Sequence, residues 1–125
     1  MADIVISEFL DKEAVTEGLK GRDVLYDPAL VDRPDELLRA VENARALIVR
    51  NRTQVRDRIL TAGKNLKVIG RLGVGLDNID VEACKARGIA VCPATGSNDV
   101  SVAEYVIGTA MLLLRNAYHA TDQVV

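Results

Sequence analysis

The residues from Leu66 to Asp80, LKVIGRLGVGLDNID, constrain this chain more than any other stretch, because a strand, a glycine turn and a helix start follow one another there without a spacer. Leu66, Val68 and Ile69 form a short apolar run with β-branched side chains, the pattern of a strand buried on both faces. Gly73-Val74-Gly75 then removes two side chains, which permits a tight turn and lets a ligand approach the backbone. Asp77, Asn78 and Asp80 each carry an oxygen able to accept from the first amides of a helix suggested by Val81, Ala83 and Cys84. That order makes a cup of backbone N–H groups at a positive helix end, with Arg71 nearby, and such a cup suits an anion. Spacing alone slightly favours the plainer reading, an ordinary βα turn whose glycines serve packing only.

The same rhythm runs through the rest of the chain. Ile4-Val5-Ile6 is a strand, and Asp11 begins a helix through Ala14, Val15 and Leu19 to Gly21, which takes the place of a C′ glycine. Val24-Leu25-Tyr26 is a second strand. Asp32 starts a second helix, with Pro34 just inside it, Asp35 and Glu36 in its first turn and Leu37, Leu38 and Val41 on its apolar face. Ala46 to Val49 is a third strand, and Thr53 can cap a third helix with Val55, Ile59 and Leu60 buried and Gly63 at its close. The fourth strand's helix runs to Gly88, and Ile89 to Cys92 is the fifth strand.

Five βα repeats with mostly continuous apolar strands imply an α/β fold: a flavodoxin-like five-stranded parallel sheet, order 2-1-3-4-5, with helices on both faces. Residues 1–99 form that domain, and residues 100–125 a long C-terminal helix. In such folds function lies beyond the carboxyl ends of the strands. The loops there carry Glu8 and Phe9, Arg50 to Thr53, Arg71 to Asp80, and Pro93 to Asp99.

Composition narrows the partners. With 49% apolar and 27% charged residues and a net charge of −2, nothing points to nucleic acid or to a membrane surface. Two cysteines, Cys84 and Cys92, make no disulfide framework and read as buried reduced thiols. The first ten residues, MADIVISEFL, lack a basic leader and cleavage site, and the apolar run from Val102 to Leu114 contains Glu104 and is too short to span a bilayer. The reading is therefore a cytoplasmic protein. That run is apolar around its whole circumference, so the helix needs burial from several sides. It either folds back across the sheet, the favoured arrangement, or pairs with its copy in a homodimer.

Three blocks, LIVRNRT (Leu47 to Thr53), RLGVGLDNID (Arg71 to Asp80) and GIAVCPATGSNDVSVAE (Gly88 to Glu104), resemble the D-2-hydroxyacid dehydrogenase family, its D-3-phosphoglycerate dehydrogenase-like members in particular. The resemblance covers most of the chain from Ala46 onward; earlier residues match only in βα pattern. It implies an NAD-dependent oxidoreductase acting on CH–OH, of which this chain is the N-terminal substrate-domain portion with the helix leading toward the cofactor domain. It implies that Val74 and Gly75 present N–H groups to the carboxylate of a small anionic 2-hydroxy or 2-oxo acid. Arg50, and less strongly Arg52, would reach a distal phosphate or sulfonate. Asn98 would face the reacting centre, and Val102 would pack near the nicotinamide.

The departures from the family matter equally. No GxGxxG follows a strand; GVGLDN lacks the third glycine. The family's catalytic histidine, partner acid and orienting arginine find no counterpart, and His119, the only histidine, matches no catalytic position. The chain alone is therefore expected to be inactive, with no NAD bound to it. A different class is a free-standing flavodoxin-like module that binds a small organic acid or serves only as a folding unit. A phosphoacceptor receiver domain shares the fold but needs an aspartate where Arg50 and Asn51 stand.

Overall fold

The computed structural model of the chain describes residues 2–96 and 99–114. In order, the elements are β1 (Ile4–Ile6), α1 (Lys12–Gly18), β2 (Val24–Tyr26), a 3-10 turn (Leu30–Asp32), α2 (Pro34–Val41), β3 (Ala46–Val49), α3 (Asp57–Ala62), β4 (Val68–Arg71), α4 (Val81–Ala86), β5 (Ala90–Pro93) and α5 (Asp99–Leu114). The strands form one parallel sheet in the order β2-β1-β3-β4-β5, the flavodoxin-like order expected from the sequence pattern.

Register explains the core. Val5, Leu47 and Ile69 stand side by side across β1, β3 and β4, and all three are fully buried. They meet Leu37 and Val41 of α2, Ile59 and Leu60 of α3 and Cys84 of α4 in one apolar cluster. Each such side chain contributes about 1.5–3 kcal/mol through the surface it removes from water. The β1 to β2 step runs opposite to the other three, so right-handed crossovers put α1 on the other face of the sheet. Cover there is thin: α1 is seven residues long and buries none of them. On that face Ile4, Ala46 and Val68 are half-buried, and Ala90 and Cys92 are exposed. Burial on both faces therefore fails for β4, where Ile69 alone is sealed. Cys92 is likewise not the buried thiol expected, because it sits on the thinly covered face of the edge strand; Cys84 is buried, and both are free.

Two of the anticipated caps are present. The Asp11 carboxylate accepts from the amides of Glu13 (2.9 Å) and Ala14 (3.1 Å), and Asp80 accepts from Ala83 (3.0 Å), each worth about 1 kcal/mol. Others differ. α1 ends at Gly18, leaving Gly21 (φ 79°) in the turn that follows. α2 starts at Pro34 without a side-chain cap, while Asp32 pairs with Arg52. α3 begins only at Asp57, so Thr53 does not cap it; the Thr53 hydroxyl instead shares a 2.9 Å hydrogen bond with Ser7.

The chain divides into two compact units after Ala94. In the second, α5 has 16 residues, about 24 Å at 1.5 Å per residue. Val100, Tyr105, Val106, Ile107, Met111 and Leu114 along it are exposed. His119 lies outside the described residues. No helix among the described residues is long and apolar enough to cross a membrane.

Candidate functional site

Because β3 and β4 are neighbours with Val49 opposite Arg71, the segments that follow them leave the same edge of the sheet. They are then tied together. The Leu72 amide donates to the Val49 carbonyl (2.8 Å), the Val55 amide to the Asn78 carbonyl (2.8 Å) and the Asp80 amide to the Val55 carbonyl (2.9 Å). The Arg56 guanidinium adds a 2.9 Å bond to the Asp77 carbonyl.

Two buried polar side chains hold the Arg50–Thr53 loop from either side. Glu8, just past β1 and 4% exposed, accepts from the amides of Arg50 (3.0 Å) and Thr53 (2.8 Å) on one oxygen and of Arg52 (3.2 Å) on the other. Burial pushes the Glu8 pKa up, but the hydrogen bonds from Thr53, Arg50 and Arg52 outweigh it and leave the carboxyl below its ordinary range. Asn78, 2% exposed, donates through its amide nitrogen to the carbonyls of Arg50 (2.8 Å) and Thr53 (2.9 Å). Its oxygen accepts from Arg71 Nε (3.3 Å). An acceptor-only group thus faces the loop's donors, and an amide NH2 faces its acceptors. Sequence reasoning placed Glu8 on a functional loop and Asn78 among helix caps; neither was recognised as a clamp.

The glycine turn is built over an arginine. Gly73 has φ 144°, a conformation that L side chains rarely adopt, and a Cβ there would meet the tip of the Arg71 side chain, so conformation is what favours glycine. The Arg71 guanidinium is engaged locally: Nη1 donates to the Leu72 carbonyl (2.8 Å) and Nε to the Asn78 side-chain oxygen (3.3 Å). Nor does the turn open a helix. Only Asp80 caps α4, which starts at Val81, so any anion contact made by the turn comes from its own amides.

Arg50 is the first residue past β3; it is exposed, and its guanidinium has no hydrogen-bond or ion-pair partner among the described residues. Arg52 is exposed too, but its guanidinium is engaged by Asp32. Val74 and Gly75 are exposed at the tip of the turn after β4, and their amides donate to nothing among the described residues. These four residues share one rim. Asn98 lies outside the described residues. Val102 belongs to the second unit, exposed on α5.

A groove of about 400 Å³ between α2 and α3 does not compete as an anion site. It is floored by Val31, Pro34, Leu37, Leu38 and Ile59. Its three arginines are occupied: Arg52 by Asp32, Arg58 by Asp35 and Arg56 by the Asp77 carbonyl. Nor is there a dinucleotide cradle among the described residues. The glycine turn after β4 has its underside filled by Arg71, lacks a third glycine and is separated from a six-residue helix.

Fold and rim together define a flavodoxin-like α/β domain whose polar loops gather at the carboxyl edge of β3 and β4. The chain belongs to the D-2-hydroxyacid dehydrogenase family: the model of the D-isomer specific 2-hydroxyacid dehydrogenase catalytic domain matches residues 3–125. The (S)-sulfolactate dehydrogenase of Chromohalobacter salexigens is 51% identical over 124 residues, 99% of this chain and 40% of that protein. The hydroxypyruvate reductase of Thermotoga maritima is 40% identical over 93% of this chain and 38% of its own length. Among solved structures, the NAD+-bound 3-phosphoglycerate dehydrogenase of Entamoeba histolytica matches with a TM-score of 0.73 and 30% identity, over 89% of this chain and 38% of that one. The chain thus spans about two fifths of the length of the curated relatives it matches.

Proposed function

We propose that this chain is the substrate-gripping portion of an NAD-dependent D-2-hydroxyacid dehydrogenase, and that it binds a small 2-hydroxy or 2-oxo acid carrying a second, distal anionic group. The observation that supports this reading is the set of three unengaged donor groups on one rim, the Val74 and Gly75 amides and the Arg50 guanidinium. Two backbone N–H groups suit a carboxylate, and a guanidinium fork suits phosphate or sulfonate. Both distal groups occur in substrates named for relatives, sulfolactate and 3-phosphoglycerate. Arg52 contributes less, being held by Asp32. On the family resemblance, Asn98 faces the reacting centre and Val102 approaches the nicotinamide. On the same resemblance, NAD is held by a cofactor domain that this chain, spanning about two fifths of its relatives' length, does not include. This chain's task is to bind and orient the acid.

Calorimetric titration with sulfolactate, 3-phosphoglycerate and lactate tests the reading. The chain should prefer the two-anion acids over lactate, and Arg50→Ala should weaken them by about tenfold or more, the loss of a charge-assisted contact. Equal affinity for all three acids, or none for any, refutes it. Clear turnover of NADH by the purified chain with a panel of 2-oxo acids would refute its inactivity alone. The self-contained core of the first unit favours the second reading, a free-standing module; binding without any effect of Arg50→Ala is its signature.

The exposed apolar residues of α5 favour an arrangement that covers them, either against the chain's own sheet or in a homodimer. Light scattering on the wild type and Ile107→Asp checks this. The substitution should disrupt the dimer or loosen the fold, and an unaffected monomer would count against both arrangements.

A further inference from the structure

We infer that Glu8 and Asn78 are positioning residues that fix the span between the Arg50 guanidinium and the Val74 and Gly75 amides, and with it the length of acid the rim selects. The inference rests on the acid-site reading just proposed and adds what sets the site's dimensions. From Arg50 to Thr53, three amides end on the Glu8 carboxylate and two carbonyls on the Asn78 amide. Two buried side chains from outside the loop therefore dictate its path. Through Arg71, Asn78 is also tied to the floor of the turn that carries Val74 and Gly75.

Charge gives Glu8 a second consequence. A carboxylate behind an anion site would ordinarily draw in the neighbouring arginine and leave nothing for a ligand. Here its oxygens are occupied by backbone donors, and Arg50 has no partner among the described residues. A glutamine at this position keeps the shape, yet its NH2 group cannot accept the amide that the second oxygen now receives. The loop then loses one of its anchors, and the distal contact loses its fixed distance from the carboxylate contact. Preorganisation of this kind raises affinity for a ligand that bridges both contacts and does nothing for one that uses a single contact.

The matched probes are sulfolactate and lactate, which differ by one sulfonate, titrated into the full chain and its variants by calorimetry. Glu8→Gln should cut the preference for sulfolactate over lactate by about tenfold while lactate affinity stays within about twofold. Asn78→Ser is read in the same way should Glu8→Gln fail to fold. An unchanged preference, or an equal loss for both acids as a merely structural role would give, overturns the inference and leaves the acid-site reading standing. A wild type that does not prefer sulfolactate refutes the acid site itself, and the inference with it. Hydrogen exchange on the ligand-free wild type supplies a check that needs no variant. The amides of Arg50, Arg52 and Thr53 should exchange as slowly as those of β3, whereas fast exchange that slows only on adding sulfolactate would show a loop organised by the ligand and overturn the proposal.

Discussion

Asn78→Ala should destabilise the chain by about 3–4 kcal/mol, a fall in melting temperature of roughly 10–20 °C for a domain of this size. The side chain makes two donated bonds of 2.8 and 2.9 Å and accepts a third of 3.3 Å, all of which vanish together. The larger share of the cost is what remains behind. Thr53 is 2% exposed, so its carbonyl is left without a partner, at about 1–3 kcal/mol for a buried unsatisfied group. A cavity adds to this where the amide stood. Asn78→Asp makes a sharper comparison because shape is kept while a donor becomes an acceptor. Two carbonyls would then face a carboxylate, and the loss at neutral pH should equal or exceed that of alanine. Asn51→Ala, one residue into the same loop but exposed, should stay within about 0.5 kcal/mol. Urea or thermal unfolding followed by circular dichroism measures all three; a loss under about 1 kcal/mol for Asn78→Ala would mean that water replaces the amide and that the clamp is weak.

What the sequence made legible divides along physical lines. Strand order was readable because the alternation of apolar segments with helix starts admits few sheets, and Asp11 and Asp80 were readable as caps because a cap is a local arrangement. The rim was legible only in part. Arg50, Val74 and Gly75 could be placed together once β3 and β4 were adjacent, which topology supplies. The clamp could not, since Glu8 meets its donors more than 40 positions along the chain and nothing near Glu8 marks it as buried. Asn78 and Thr53 were drawn to the wrong role by the same fact: short polar side chains beside a helix read as caps, and tertiary partners outcompete the nearby amides. Cys92 was misjudged because a continuous apolar strand does not reveal that α1 buries nothing.

Glu8→Ala should cost about 3–4 kcal/mol at neutral pH, and unlike the Asn78 effect this loss should depend on pH. Three amide donors, those of Arg50, Arg52 and Thr53, end on a carboxylate, and bonds to a charged acceptor are the stronger kind. The exposure of Arg50 and Arg52 lets water recover part of the loss at two of the three, so the total stays below the sum of three full contacts. In the folded chain the Glu8 pKa lies below its ordinary value. The unfolded chain therefore binds the proton more readily, and stability rises with pH wherever the two forms differ in protonation. The stabilisation is fully present above the unfolded pKa of about 4.3 and is lost as pH falls through the folded value. Glu8→Gln removes this titration without removing the side chain. The stability gap between wild type and Glu8→Gln, read from urea unfolding, should be constant from about pH 6 to 8 and shrink steadily below about pH 4. A gap that persists at low pH would assign the contribution to the acceptor that glutamine lacks and not to the charge of the carboxylate.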